Sequence, residues 1–136
     1  MSGSTVTSNA LQFTNDNKNA YAYSGIIGVT NAEKTLLLMQ TNSEYLMAKL
    51  QILNGTTSNE DFTYKVFFYD VIVAQWHFVY ASTIHQLIEY PYLFTIPPFT
   101  TVKVTALNVS SGVSRDHTAT VTASVGMPQR VGNLNE

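Results

Sequence analysis

Two stretches near the C-terminal end of the chain alternate with a period of two, and no other feature constrains the fold as tightly. In Thr101 to Leu107, Val102, Val104 and Ala106 share one face, and Thr101, Lys103, Thr105 and Leu107 the other. In Thr118 to Val125, Ala119, Val121, Ala123 and Val125 oppose Thr118, Thr120, Thr122 and Ser124. Strand side chains point alternately to the two faces, so each stretch is a β-strand with one apolar side. Asn108 to Asp116 lies between them, rich in Ser and containing Gly112, which is turn chemistry. The two stretches read as a terminal β-hairpin whose apolar face closes a core, entered through a Pro97-Pro98 corner.

The rest of the chain follows the same grammar. Residues 1–9 are Ser, Thr, Gly and Asn with a single Val after Met1, too little apolar surface to offset their ordering entropy, so they read as a flexible arm. Leu11 and Phe13 begin a short strand, and Thr14 to Asn19 is a polar turn. Ala20 to Val29 is a strand in which Gly25 and Gly28 mark a bulge or a close backbone approach. Lys34 to Gln40 carries three consecutive leucines and reads as a buried strand. Glu44 to Leu53 places Leu46, Ala48, Leu50 and Ile52 on one side, and Asn54-Gly55 supplies the turn after it. The loop Asn54 to Asp61 reads as polar and exposed.

Phe62 to Tyr69 and Val71 to Tyr80 are aromatic and β-branched, a strand composition. Asp70 between them is either a tight corner or a bulge in one long strand. Ile72, Ala74, Trp76, Phe78 and Tyr80 fall on one face, which the alternation assigns to the core. Ser82 to Glu89 is either one helical turn with Thr83 and Gln86 as a capping box, or an irregular crossover. Residues 127–136 read as a tail. The sum is about eight strands at short intervals with no helix long enough for a parallel crossover, which means an all-β, antiparallel two-sheet sandwich with a jelly-roll-like order. The domain reading is an arm over 1–9, a sandwich over 10–126 and the tail; 136 residues suffice for one sizeable core.

Composition narrows the function classes. Only 12% of the residues are charged against 45% hydrophobic, and the net charge of -2 leaves seven scattered basic residues, so a phosphate-tracking groove is not expected and nucleic acid is not a partner. Without cysteine there is no disulfide scaffold or thiolate metal site. The N-terminal stretch lacks the basic segment and apolar run of a secretory signal, and no apolar run reaches membrane-span length, so no membrane partner is expected.

No group of residues announces a reaction. His77 sits on an aromatic strand, while His85 and His117 fall in or near loops, and no spacing pairs any two on one face. Ser24 precedes Gly25 but lacks the second glycine of a nucleophile elbow, and the acidic residues offer no catalytic pair. The chain is therefore expected to be no enzyme, with no catalytic residue, metal or cofactor. Tyr45, Tyr64, Tyr69, Tyr90 and Tyr92 are strand or interface residues or, alternatively, platforms for a glycan.

The run from Tyr90 to Ser111, with the strand Ala119 to Val125 that follows, resembles the closing strands of jelly-roll decoration (cement) proteins of tailed phages. The similarity lies in the corner Pro97-Pro98 with Thr100-Thr101, the strand Val102-Lys103-Val104 and the turn Asn108 to Ser111; Phe99 stands where a small turn residue is more usual. The resemblance covers about a third of the chain. It implies a non-enzymatic, commonly trimeric virion protein, made in the host cytoplasm, that sits on the capsid surface and bridges neighbouring copies of the major capsid protein. Ser2, Thr5, Val6 and Asn9 of the arm, and Asn54, Thr56, Glu60 and Asp61 of the loop, are the expected interface residues. The alternative is a head-fibre or tail-fibre domain that contacts a receptor or glycan.

Overall fold

The structure is a computed structural model that describes residues 4–7, 11–14, 19–55, 60–79 and 91–126. Among these lie eleven strands: β1 (Ser4–Thr7), β2 (Leu11–Thr14), β3 (Asn19–Tyr23), β4 (Ile27–Val29), β5 (Lys34–Thr41), β6 (Leu46–Asn54), β7 (Asp61–Phe68), β8 (Val71–Val79), β9 (Tyr92–Ile96), β10 (Thr101–Asn108) and β11 (Arg115–Val125). They form two antiparallel sheets. Sheet A runs β1-β5-β10-β7-β8, and sheet B runs β2-β3-β11-β6-β9 with β4 also on β11.

Eight of these strands form one long hairpin rolled on itself. From its ends inward the pairs are β3 with β11, β5 with β10, β6 with β9 and β7 with β8, which is closed by the two-residue corner Tyr69-Asp70. Rolling adds β10 against β7 and β11 against β6, and the four-stranded halves β5-β10-β7-β8 and β3-β11-β6-β9 face each other. That is the jelly roll. Seven of these eight were read from the sequence as strands; β9 was not, and the eighth strand read there is β2, outside this frame. β1 and β2 extend one edge of each sheet, and β4 continues β3 after a kink.

Ser24 makes that kink possible. Its N–H donates to the Ala119 carbonyl (2.9 Å) while its hydroxyl accepts the Ala119 N–H (2.8 Å) and donates to the Gly25 carbonyl (2.6 Å). Gly25 takes φ +73°, a conformation open to glycine at little cost.

Four expectations are corrected. The two alternating C-terminal stretches are not a hairpin, because β10 and β11 belong to opposite sheets. Alternation assigns a face to the core but not a neighbour, and each strand is flanked on both sides by others. Their connection spans the sandwich instead, through an Asx turn in which Asn108 Oδ1 accepts the N–H groups of Ser110 (2.9 Å) and Ser111 (3.0 Å). Residues 4–7 are not a free arm: β1 pairs with β5 in the register Ser4↔Thr41 to Thr7↔Leu38. Ile72 does not share the inward face of Ala74, Trp76 and Phe78. Val66 pairs with Ala74 but Phe67 with Ile72, so the bulge at Val73 reverses the alternation and leaves Ile72 47% exposed. The fourth, at the Asn54–Asp61 loop, belongs to the site. The segments 80–90 and 127–136, including the capping box at Thr83 and Gln86, lie outside the described residues.

The core is filled as the alternation predicts. Leu46, Ala48, Leu50 and Ile52 of β6 meet Val102, Val104 and Ala106 of β10 and Phe62, Tyr64 and Val66 of β7, all buried. The leucine run of β5 breaks the period because a register shift opposite Val104/Thr105 turns Leu36 and Leu37 both inward, each at 0% exposure. Each such side chain stabilises the fold by about 1.5–3 kcal/mol.

Candidate functional site

One end of the sandwich holds a polar cluster. Arg115, on β11, donates through Nε to Glu60 Oε1 (2.7 Å) and through Nη2 to Oε2 (3.0 Å), a bidentate fork. Ser111 Oγ donates to the same carboxylate (2.9 Å), as does Asn108 Nδ2 (3.3 Å). Four hydrogen bonds, led by those from Arg115, outweigh desolvation and hold the Glu60 carboxyl at about 2. Glu60 therefore remains a carboxylate with its oxygens committed.

A second chain of hydrogen bonds crosses between the sheets. Asn54 Nδ2 donates to the Tyr64 hydroxyl (3.1 Å), which lies 2.9 Å from His117 Nε2, and His117 Nδ1 lies 3.1 Å from the Arg115 carbonyl. A carbonyl only accepts, so Nδ1 carries the ring proton and Nε2 accepts from Tyr64. The edge of Phe62 packs on the imidazole at 4.8 Å. Burial pushes the His117 pKa down, opposed by its bond to the Arg115 backbone and by the charge of Asp116. His117 is 1% exposed, so the group ties strands together and offers no surface to a substrate. Among the described residues no cluster of His, Asp and Glu is placed to hold a metal ion.

This cluster absorbs part of the loop expected to be exposed. Asn54 and Glu60 are buried at 1% and 7%, because one hydrogen-bonds across the sheets and the other pairs with Arg115. Both are corrected from surface residues to internal ties. Asp61 opens β7 half-buried, its N–H donating to Ser110 Oγ (2.8 Å). Thr5 and Val6 lie on β1 opposite Gln40 and Met39. Ser2, Asn9 and Thr56 lie outside the described residues.

The opposite end displays two aromatics, Tyr69, one of the tyrosines read from the sequence as strand or interface residues or glycan platforms, and Phe99. Tyr69 (φ 57°) and Phe99 (φ 55°) are the two non-glycine residues of positive φ among those described. Tyr69 is the first central residue of the β7–β8 corner, where the type II′ pattern ordinarily takes glycine. Phe99 follows Pro98, and positive φ after proline is the type II pattern, again a glycine position. The Tyr69 hydroxyl donates to the Phe99 carbonyl, the Tyr69 N–H to the Thr101 carbonyl (2.8 Å) and the Phe99 N–H to the Asn42 carbonyl (2.8 Å).

Thr41 locks the second turn from inside, its hydroxyl donating to the Pro97 carbonyl (2.7 Å) and accepting the Thr100 N–H (2.9 Å). Tyr69 and Phe99 remain 57% and 62% exposed, beside Val71 at 65%. The sequence signals here were Tyr69, named among the tyrosines, and Phe99, standing where a small residue is usual.

Apolar side chains are also exposed on the outer sheet faces. Ile72, Val73 and Val79 stand out on β8, and Met47, Leu53 and Leu93 on β6 and β9. At the edge where β8 and β9 face each other, Trp76, Tyr92 and Phe94 form a row with centroids 5.6 and 5.1 Å apart, the second pair stacked, and Phe68 joins Phe94 at 6.2 Å.

No protein-family model matches the chain, and no curated protein matches it in sequence. Among solved structures it is similar to a chain in the structure of infectious bursal disease virus Gx strain, with 10% identity and a TM-score of 0.44 over 96% of this chain. It is also similar to a chain in the crystal structure of the VP2 subviral particle of infectious bursal disease virus, with 13% identity and a TM-score of 0.44 over 92%. The chain spans about a third of each of those chains, 34% and 33%.

Proposed function

We propose that the chain is a non-enzymatic structural subunit of a virion that decorates a capsid and bridges neighbouring capsid subunits, acting as a homo-oligomer, with a trimer the state its resemblance to phage decoration proteins implies. The reading rests on the surface. Valines, leucines and aromatics stand exposed on both outer sheet faces and at one end, on a chain of which only 12% is charged. Exposed apolar side chains in such numbers suit a protein that works covered by neighbours. Many modest contacts repeated over a shell make dissociation slow without any one being strong.

The test is quantitative mass spectrometry of purified particles from the lysate that carries this chain. A fixed ratio of copies to the major capsid protein is expected. A few copies per particle would point to a fibre, and absence from particles would end the reading. The row Trp76, Tyr92 and Phe94 favours a second reading, a fibre domain that contacts glycan, because half-buried aromatics at an open sheet edge can offer a ring face to a sugar. Binding on a glycan array that is lost in Trp76→Ala would support it.

A further inference from the structure

We infer that the cleft beside Glu44 is a guanidinium site and that its occupant is Arg130 of the same chain. The inference does not depend on the decoration reading. Ser43, Glu44 and Tyr45, which lead into β6, and Val125 and Gly126, at the end of β11, line a cleft of about 220 Å³. It lies at the end of the sandwich where the Asn42 carbonyl accepts the Phe99 N–H. Oε2 of Glu44 is buried and has no hydrogen-bond partner among the described residues. Buried polar atoms of folded proteins are nearly all hydrogen-bonded, and a carboxylate oxygen kept from water without a partner destabilises, so this one marks a place for a donor.

The lining selects the kind of donor. Among the described residues no group of His, Asp and Glu is placed to hold a metal ion, so a bare cation would meet a single carboxylate here. A guanidinium brings a planar fork of N–H donors for the carboxylate, an apolar stem for Val125 and a cationic face for the Tyr45 ring. Position selects Arg130. The Gly126 N–H donates to the Tyr45 carbonyl (3.0 Å), so the described part of β11 leads to the wall of the cleft, one residue from Glu44. Arg130 is the single basic residue of 127–136 and stands four positions beyond Gly126, a reach of at most roughly 14 Å. Pro128, between them, has no N–H with which to continue the β11 ladder. Tethering at this range acts as a roughly millimolar local concentration, which a guanidinium on a separate protein does not match. Lys18, the other basic residue outside the described ones, precedes Asn19, which pairs with Ser124 on the side of β11 away from β6. Two strand spacings, roughly 9–10 Å, separate it from the strand that Glu44 leads into.

The test is the rate at which trypsin cuts the Arg130–Val131 bond of the folded chain, because the protease must take the same guanidinium that the cleft holds. The wild type should be cut at least about fivefold more slowly than Glu44→Gln, and Lys18→Gln at the wild-type rate. Equal rates in the wild type and Glu44→Gln would overturn the inference. Faster cutting in Lys18→Gln would assign the cleft to Lys18, and protection that fades on dilution would assign it to a second copy; either result also overturns it. A second readout serves if Glu44→Gln folds poorly. In NMR the side-chain carboxyl carbon of Glu44 should shift in Arg130→Gln and hold its wild-type position in Lys18→Gln, and a signal that stays put in Arg130→Gln would sink the assignment.

Discussion

The Tyr64 hydroxyl lies 2.9 Å from Nε2 of His117, a bond between residues 53 positions apart that joins sheet A to sheet B. With Nδ1 committed to the Arg115 carbonyl, the ring is neutral and Nε2 is an acceptor. Protonation would place a buried charge and a second donor against a hydroxyl that already receives Asn54 Nδ2.

The folded pKa of His117 is pushed below the ordinary histidine value of 6.5, so the unfolded chain binds the proton more readily. Stability from this group is fully present above pH 6.5 and falls as the pH drops below it. Urea midpoints at pH 7.5 and 5.5 should differ more for the wild type than for His117→Gln, which has no ring to titrate; equal pH slopes would refute the role.

Glu60 governs a lower window. Its carboxyl is held at about 2 against an ordinary 4.5, so its contribution is complete above pH 4.5 and is lost as the pH falls towards 2. Glu60→Gln leaves the Arg115 guanidinium facing a neutral amide and should cost about 2 kcal/mol at pH 7 in chemical denaturation. The difference from wild type should shrink as both are taken towards pH 2.

Two glycines should resist alanine for different reasons. At Gly25 there is open space but φ is +73°, so Gly25→Ala should cost about 1 kcal/mol through backbone strain alone. At Gly55 an added Cβ would meet the Asp116 carbonyl oxygen at 2.9 Å, the same oxygen that accepts the Gly55 N–H at 2.8 Å. Gly55→Ala must therefore displace backbone and should cost more than Gly25→Ala, as ranked by thermal unfolding.

Because β1 pairs with β5, deletion of residues 2–9 should lower the melting temperature by a few degrees. An unchanged value would restore the free arm. Native-state hydrogen exchange gives a second measure, with the β5 amides that face β1 exchanging faster once it is removed.

Much of the fold was legible because most strands have one face in the core. β6 reads directly, since Leu46, Ala48, Leu50 and Ile52 alternate without interruption and all are buried. Alternation failed where a bulge intervenes: at Leu36 and Leu37, which both turn inward, and at Val73, which turns Ile72 outward. It was silent on neighbours, so β10 and β11 read as partners although each carries a different sheet. The polar ties were not legible, because nothing local marks Glu60 as the partner of a residue 55 positions away. Phe99 was visible as an oddity after two prolines, and Tyr69 only as one of five tyrosines with a strand, interface or glycan reading.

The rolled hairpin has a consequence for how the chain is made. Its tip at Tyr69-Asp70 brings β7 and β8 together through the smallest loop, and each further pair shortens the loop that the next must close. The outermost pair, Asn19 with Ser124, closes last. On a ribosome β3 and β5 emerge early and wait for β11 and β10, their long-range partners, with half their ladder bonds unmade. Folding should therefore be slow for a chain of this length, in the millisecond-to-second range, and the nascent chain most vulnerable to mispairing just before its last described strand is complete.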